Sequence, residues 1–160
     1  MASQAYPPVS FHFKVEIQGF KGEIGFQSVD GLNAKIKMTP HMEGGENTFT
    51  HHLPDRIDYG DLTLKRGMLI GSSLIGWFND AIQNFSFDPR DVTVTLMTAE
   101  HTPLEQWLFR NAWPKEWNIE GFDAMGGTKI ATETIVLSYQ YFTRVGLPAS
   151  NQAQKPPTRV

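Results

Sequence analysis

The chain reads as a mainly β protein: a single-domain β-barrel or sandwich with one packed α-helix and one long β-hairpin. Three observations predict this. Apolar and polar residues alternate over several short segments, the signature of half-buried strands. Gly, Pro and Asp punctuate those segments at the spacing expected of a compact all-β domain. One stretch, after Ser72 and Ser73, changes to helical spacing.

The first strand is the clearest. Phe11, Phe13, Val15 and Ile17 alternate with His12, Lys14, Glu16 and Gln18, which sends the apolar set to one face. Shorter strands are expected over 25–29, 34–42, 48–53 and 61–65. The two middle ones form a hairpin about Gly44 and Gly45, a glycine pair suited to a tight turn. Within it Ala34, Ile36 and Met38 alternate with Lys35, Lys37 and Thr39, and Phe49 and Leu53 with Thr48, Thr50 and His52. One face of this hairpin is expected to pack on the body and the other to meet water.

The helix follows from Ser72 and Ser73 as N-cap residues and from the spacing of Leu74, Ile75, Trp77, Phe78, Ala81 and Ile82. Val92, Val94 and Leu96 resume the period of two. At 102–105, Thr-Pro-Leu-Glu resembles a capping box with Pro at the first helical position. Read locally, that would start a second, short helix, less firmly marked than the first. A last strand is expected to carry Ile135, Leu137, Tyr139 and Tyr141 on one face. Residues 1–7 are expected to be a flexible N-terminus, 8–146 the folded domain, and 147–160 a flexible tail containing Pro148, Pro156 and Pro157.

Composition narrows the function. At 160 residues, with 40% hydrophobic and 19% charged residues, the chain is long enough to close one core and too short for two. A net charge of −3 without any basic run argues against a surface for polyanions. The absence of cysteine removes disulfides, thiolate metal sites and thiol nucleophiles together. Residues 1–10 lack a signal-peptide pattern, and no apolar run is long enough to span a bilayer. Synthesis in the cytoplasm without membrane insertion is expected.

No enzyme signature emerges, and no cofactor or metal is expected. His41, His51 and His52 lack recognised ligand spacing and read as surface histidines. Asp55, Asp58 and Asp61 do not follow a calcium-loop pattern and read as solvated loop acids. Gly44-Gly45 has no phosphate-loop context. Trp107, Trp113 and Trp117 could form the platform of a carbohydrate-binding module, although core or interface positions are the simpler account.

Several motifs occur in a telling order: the first strand, then Phe26-Gln27-Ser28-Val29-Asp30-Gly31-Leu32, Glu43-Gly44-Gly45, and Leu62-Thr63-Leu64-Lys65-Arg66-Gly67. Trp77, Ala112-Trp113-Pro114 and the run from Thr132 to Leu137 follow. In that order the chain resembles the inner tube proteins of contractile phage tails and related injection systems. The resemblance implies a hexameric ring that stacks into a hollow tube, a conduit for protein or DNA cargo, and a strand over 107–111, which is preferred to a second helix at 102–105. It also implies contact with sheath, baseplate and tube-terminating proteins, within a virion or a secreted particle. A tube initiator or baseplate adaptor of the same fold is the alternative it leaves open. In such a ring, neighbouring subunits would pair the edges of the hairpin. Lys35, Lys37, Thr39, Glu43, Glu46, Thr48, Thr50 and His52 are the residues expected to face the lumen or a subunit interface.

Overall fold

The computed structural model describes residues 11–20, 24–42, 44–45, 50–68, 72–121 and 131–146. The expected flexible ends, 1–7 and 147–160, lie outside the described residues. The strands are β1 (His12–Ile17), β2 (Ile24–Phe26), β3 (Ser28–Asp30), β4 (Ala34–His41), β5 (His51–Tyr59), β6 (Leu62–Gly67), β7 (Arg90–Met97), β8 (Pro103–Glu120), β9 (Thr132–Ser138) and β10 (Tyr141–Val145). The helix, α1, spans Ser73–Gln83.

Eight strands form one folded sheet in the order β2-β1-β7-β8-β9-β6-β3, with β10 beside β8. The terminal strands β2 and β3 are not paired with each other, so the sheet folds over as a sandwich and does not close into a barrel. All described pairings are antiparallel. The period of two places Val15 and Ile17 of β1, Leu62 and Leu64 of β6, Val92 and Val94 of β7, and Ile135 and Leu137 of β9 in one core. Leu74, Trp77 and Phe78 of α1 bury into the same core, as their helical spacing requires. Ser72 caps α1, its Oγ accepting from the Leu74 amide at 3.4 Å. The Trp77 indole donates to the Asp88 carbonyl at 2.9 Å and ties the helix to the loop that follows it.

Four expectations are corrected. The strand foreseen over 25–29 breaks at Gln27: β2 pairs with β1, whereas β3 pairs with β6. The chain crosses between the two halves of the sandwich there, and the Gln27 amide donates to the Lys65 carbonyl at 2.8 Å. The last strand also divides, β9 ending at Ser138 and β10 starting at Tyr141. Its long partner β8 turns at Asn111, which has φ +50°. Asn111 is held in that strained conformation by its own amide on Asp91 Oδ1 at 3.1 Å and by its side chain on Gln140 at 2.7 Å.

The strand expected to end at Leu53 instead runs to Tyr59, so Asp55 and Asp58 lie in β5 and not in a loop, though both are solvent-exposed. Finally, neither face of the hairpin packs on the body. Every residue of β4 and β5 is exposed except Tyr59, which is partly buried. Residues 102–105 are not helical, and the strand preferred for that region extends to eighteen residues in β8.

Candidate assembly interface

The feature with most to explain is the wing formed by β4 and β5, a separate two-stranded sheet. Its base is fixed. The Gly60 amide donates to Asn33 Oδ1 at 3.0 Å, and Tyr59 meets Phe142 edge-on at 5.5 Å between ring centres. Beyond that base the two strands contact each other and little else.

Alternation along β4 puts Lys35, Lys37 and Thr39 on one face and Ala34, Ile36 and Met38 on the other. The register then assigns β5. Lys35 faces Asp58, Ile36 faces Ile57 and Ala34 faces Tyr59. Past a bulge the pairs are Met38 with Pro54, Thr39 with Leu53, Pro40 with His52 and His41 with His51. Between Ile36 and Met38, Lys37 stands opposite two residues, Asp55 and Arg56. That extra residue reverses the parity of β5, so Leu53 joins the Lys35, Lys37 and Thr39 face, while His52 shares a face with Met38 and Pro40.

The structure therefore brings Lys35, Lys37 and Thr39 together and separates His52 from them. Lys37 Nζ lies 3.3 Å from Asp58 Oδ2, an ion pair across the strands on this face. Thr50 is exposed and precedes β5. Glu43, Glu46 and Thr48 lie outside the described residues. The signal that sequence reading missed is Pro54, which donates no ladder hydrogen bond and sits beside the bulge, in a sheet where both strands are edges.

The apolar residues of the wing are the residues most in need of a partner. Ile36 is 58% exposed, Met38 62%, Leu53 52% and Ile57 53%. Each such side chain gains on the order of 1.5–3 kcal/mol when fully buried. A two-stranded ribbon without a supporting layer is marginal in water, and its outer edges carry unpaired backbone groups that recruit further strands. The single chain thus leaves both the apolar side chains and the outer edges of the wing uncovered.

The other residues singled out in the sequence are engaged differently. Trp107 and Trp117 pack against the core, and Trp117 donates to Glu133 Oε1 at 2.8 Å. Trp113 meets Phe87 edge-on at 5.3 Å, so the three indoles form no common platform. Asp61 pairs with Lys115 at 2.5 Å. Among the described residues no three His, Asp or Glu side chains gather into a metal-binding group, and no helix is long and apolar enough to cross a membrane.

Known proteins share this architecture. A chain of the cryo-EM structure of the anti-feeding prophage baseplate, 6-fold symmetrised, matches with a TM-score of 0.74 and 26% identity, over 90% of this chain and 99% of that one. A chain of an extracellular contractile injection system, the PVC sheath-tube complex in its extended state, matches with a TM-score of 0.74 and 26% identity, over 90% of this chain and 95% of that one. Hcp1 from Salmonella typhimurium shares the fold at 14% identity, with a TM-score of 0.56 over 84% of this chain and 85% of that one. No curated protein matches this chain in sequence. A family model described as T4-like virus tail tube protein gp19 matches residues 9–143, nearly the whole described domain. The chain belongs to that tail tube family, and is a structural component of contractile phage tails and the injection systems built like them.

Proposed function

We propose that this chain is the repeating subunit of an inner tube, in which six copies close into a ring and the rings stack into a hollow conduit for protein or DNA cargo. The observation that carries this reading is the wing, whose Ile36, Met38 and Ile57 share one face and are left more than half exposed by the single chain. A neighbouring subunit would cover that apolar area and pair the open edges, which is what ring closure supplies. The 6-fold symmetry of the related baseplate structure supports six as the copy number. The sheath-tube relative supports an outer sheath as partner, and further matches to a sheath/tube terminator and a tube-terminating cap support end-capping proteins. On this reading the role is structural and not enzymatic. Lys35, Lys37 and Thr39 would present the polar face of the wing to the lumen or to a subunit boundary.

A second reading rests on one specific observation: the baseplate chain is matched as well as the sheath-tube chain, at 26% identity in each case. A tube initiator seated on the baseplate would have one stacking face and one adapted face. Negative-stain electron microscopy across a concentration series, with light scattering for mass, separates the two. Stacked rings or tubes support the tube subunit, and single rings that never stack support the initiator. A monomer at every concentration would count against both as self-assembling units.

A further inference from the structure

The turn between β7 and β8 places a histidine beside the first strand. The Thr98 amide donates to the Thr102 carbonyl at 2.9 Å, the His101 amide to the Thr98 carbonyl at 3.0 Å, and the Thr102 amide to Thr98 Oγ1 at 3.2 Å. His101 sits in this turn with φ +61°, a left-handed backbone that few side chains adopt and that histidine tolerates better than most. Its imidazole lies beside that of His12, with ring centres 5.7 Å apart and planes 17° from parallel. Met97 of β7 is the direct register partner of His12 in β1. Their side chains therefore leave the sheet on the same face, with Cβ atoms about 5 Å apart. His12, Met97 and His101 line one cavity of about 550 Å³, together with the aromatic rings of Phe13 and Phe26. The cavity lies where the chain leaves β2 at Gln27 and the start of β1 has no strand beside it on that edge.

We infer that His12, His101 and Met97 form a binding site for a soft monovalent metal ion, copper(I). Two imidazole nitrogens and one thioether are the donors such an ion selects, whereas hard cations such as Mg²⁺ and Ca²⁺ take oxygen ligands. Among the described residues no carboxylate lines the cavity. The spacing suits a shared ion. With metal–nitrogen bonds of about 2 Å, two imidazoles on one ion have ring centres on the order of 5–6 Å apart, and the His12 and His101 rings already stand at that separation. Charge points the same way. Lys14 is the cation in the cavity wall, paired with Glu16 at 3.3 Å, and it opposes a single positive charge half as strongly as a double one. Both histidines are exposed to solvent, so an ion reaches them without any opening of the fold. Bound there, it would tie the β7–β8 turn to β1. The site is independent of the tube reading.

The test is a titration of the purified full chain with copper(I), kept reduced by ascorbate under argon, in competition with the chromogenic chelator bicinchoninate. One copper(I) per chain should be withdrawn from the chelator, and the melting temperature should rise, since the ion binds only the folded arrangement. His101→Asn keeps a residue that accepts the left-handed backbone, and Met97→Leu conserves volume. These two and His12→Asn should melt like the wild type without copper and bind copper(I) at least about tenfold more weakly, the loss that even supporting residues of metal sites produce. X-ray absorption at the copper edge should show a copper–sulfur contribution that Met97→Leu removes. His41→Asn combined with His51→Asn, on the wing, should bind as the wild type does. Absence of stoichiometric binding, or binding lost only in the wing variant, overturns the site. Loss in the histidine variants with full affinity in Met97→Leu overturns the assignment to copper(I). None of these results bears on ring formation, which microscopy reads separately.

Discussion

Arg66 of β6 and Glu133 of β9 stand directly opposite each other across the strand register, with Nε 2.6 Å from Oε2 and both side chains almost wholly removed from water. The pair is the centre of a small network. Arg66 Nη2 donates to Ser72 Oγ at 3.2 Å, Trp117 donates to Glu133 at 2.8 Å, and the guanidinium lies over the Phe26 ring at 5.4 Å. The same Ser72 caps α1, so the arginine couples the start of the helix to the sheet. Such a pair adds little net stability over an apolar replacement, yet breaking it strands a buried charge. Glu133→Ala should therefore lower unfolding stability by about 3–5 kcal/mol in urea titrations. Arg66→Met combined with Glu133→Leu should cost less than that single change. A milder effect of Glu133→Ala than of the double variant would refute this account.

Tyr139 gives the fold an alkaline limit. Burial pushes its hydroxyl up to about 12, with the Asp61 and Tyr59 charges adding to the effect. The unfolded phenol titrates near about 10, so between these values the native state keeps a proton that the unfolded chain has lost. Stability is complete below about pH 10 and falls as pH rises toward about 12. Tyr139→Phe should leave stability at pH 7 nearly unchanged, since its bond to the Gly31 carbonyl is long at 3.4 Å. Thermal melts from pH 9 to 12 should show a shallower decline for the variant; equal slopes would remove Tyr139 as the cause.

Gly31 is required by its surroundings. Its φ is +92°, and a Cβ there would run into the Asp61 carbonyl, a backbone atom that cannot swing aside. Gly31→Ala should destabilise by about 3 kcal/mol or more, combining left-handed strain with the clash. Gly25→Ala, in β2 with open space around it, should be near neutral. Chemical denaturation of the two variants side by side gives the comparison, and equal stabilities would contradict the geometry.

The wing should be separable from the body. Ile36→Pro removes a backbone donor opposite Ile57 and disrupts the ribbon or its pairing. Because β4 and β5 place no residue in the buried core and only Tyr59, at the base, packs against its edge, the melting temperature of the monomer should move little. Ring formation followed by electron microscopy should be lost. Normal rings from this variant would show that the wing is not at the assembly interface.

Much of the architecture was legible in the residues. Alternation identified β1, β7 and the apolar face of β9, and Ser72 with the spacing of Leu74, Trp77 and Phe78 identified α1. The hairpin about Gly44 and Gly45 was legible too, because local turn chemistry and a period of two are properties of short segments. So was the grouping of Lys35, Lys37 and Thr39, which needs only the alternation of a single strand.

What depended on partners distant in the chain was not. The break at Gln27 exists because neighbouring residues pair with β1 and with β6, and the division of β9 from β10 follows the turn of β8 at Asn111. The separation of His52 from the lysines comes from one extra residue in β5, which local alternation cannot reveal. Nothing local marks Arg66 as buried; its partner Glu133, sixty-seven positions away, removes it from water. Periodicity states which side chains share a face. Only tertiary pairing decides what that face meets, because register, bulges and buried charge pairs are set by the free energy of contacts between segments and not within them.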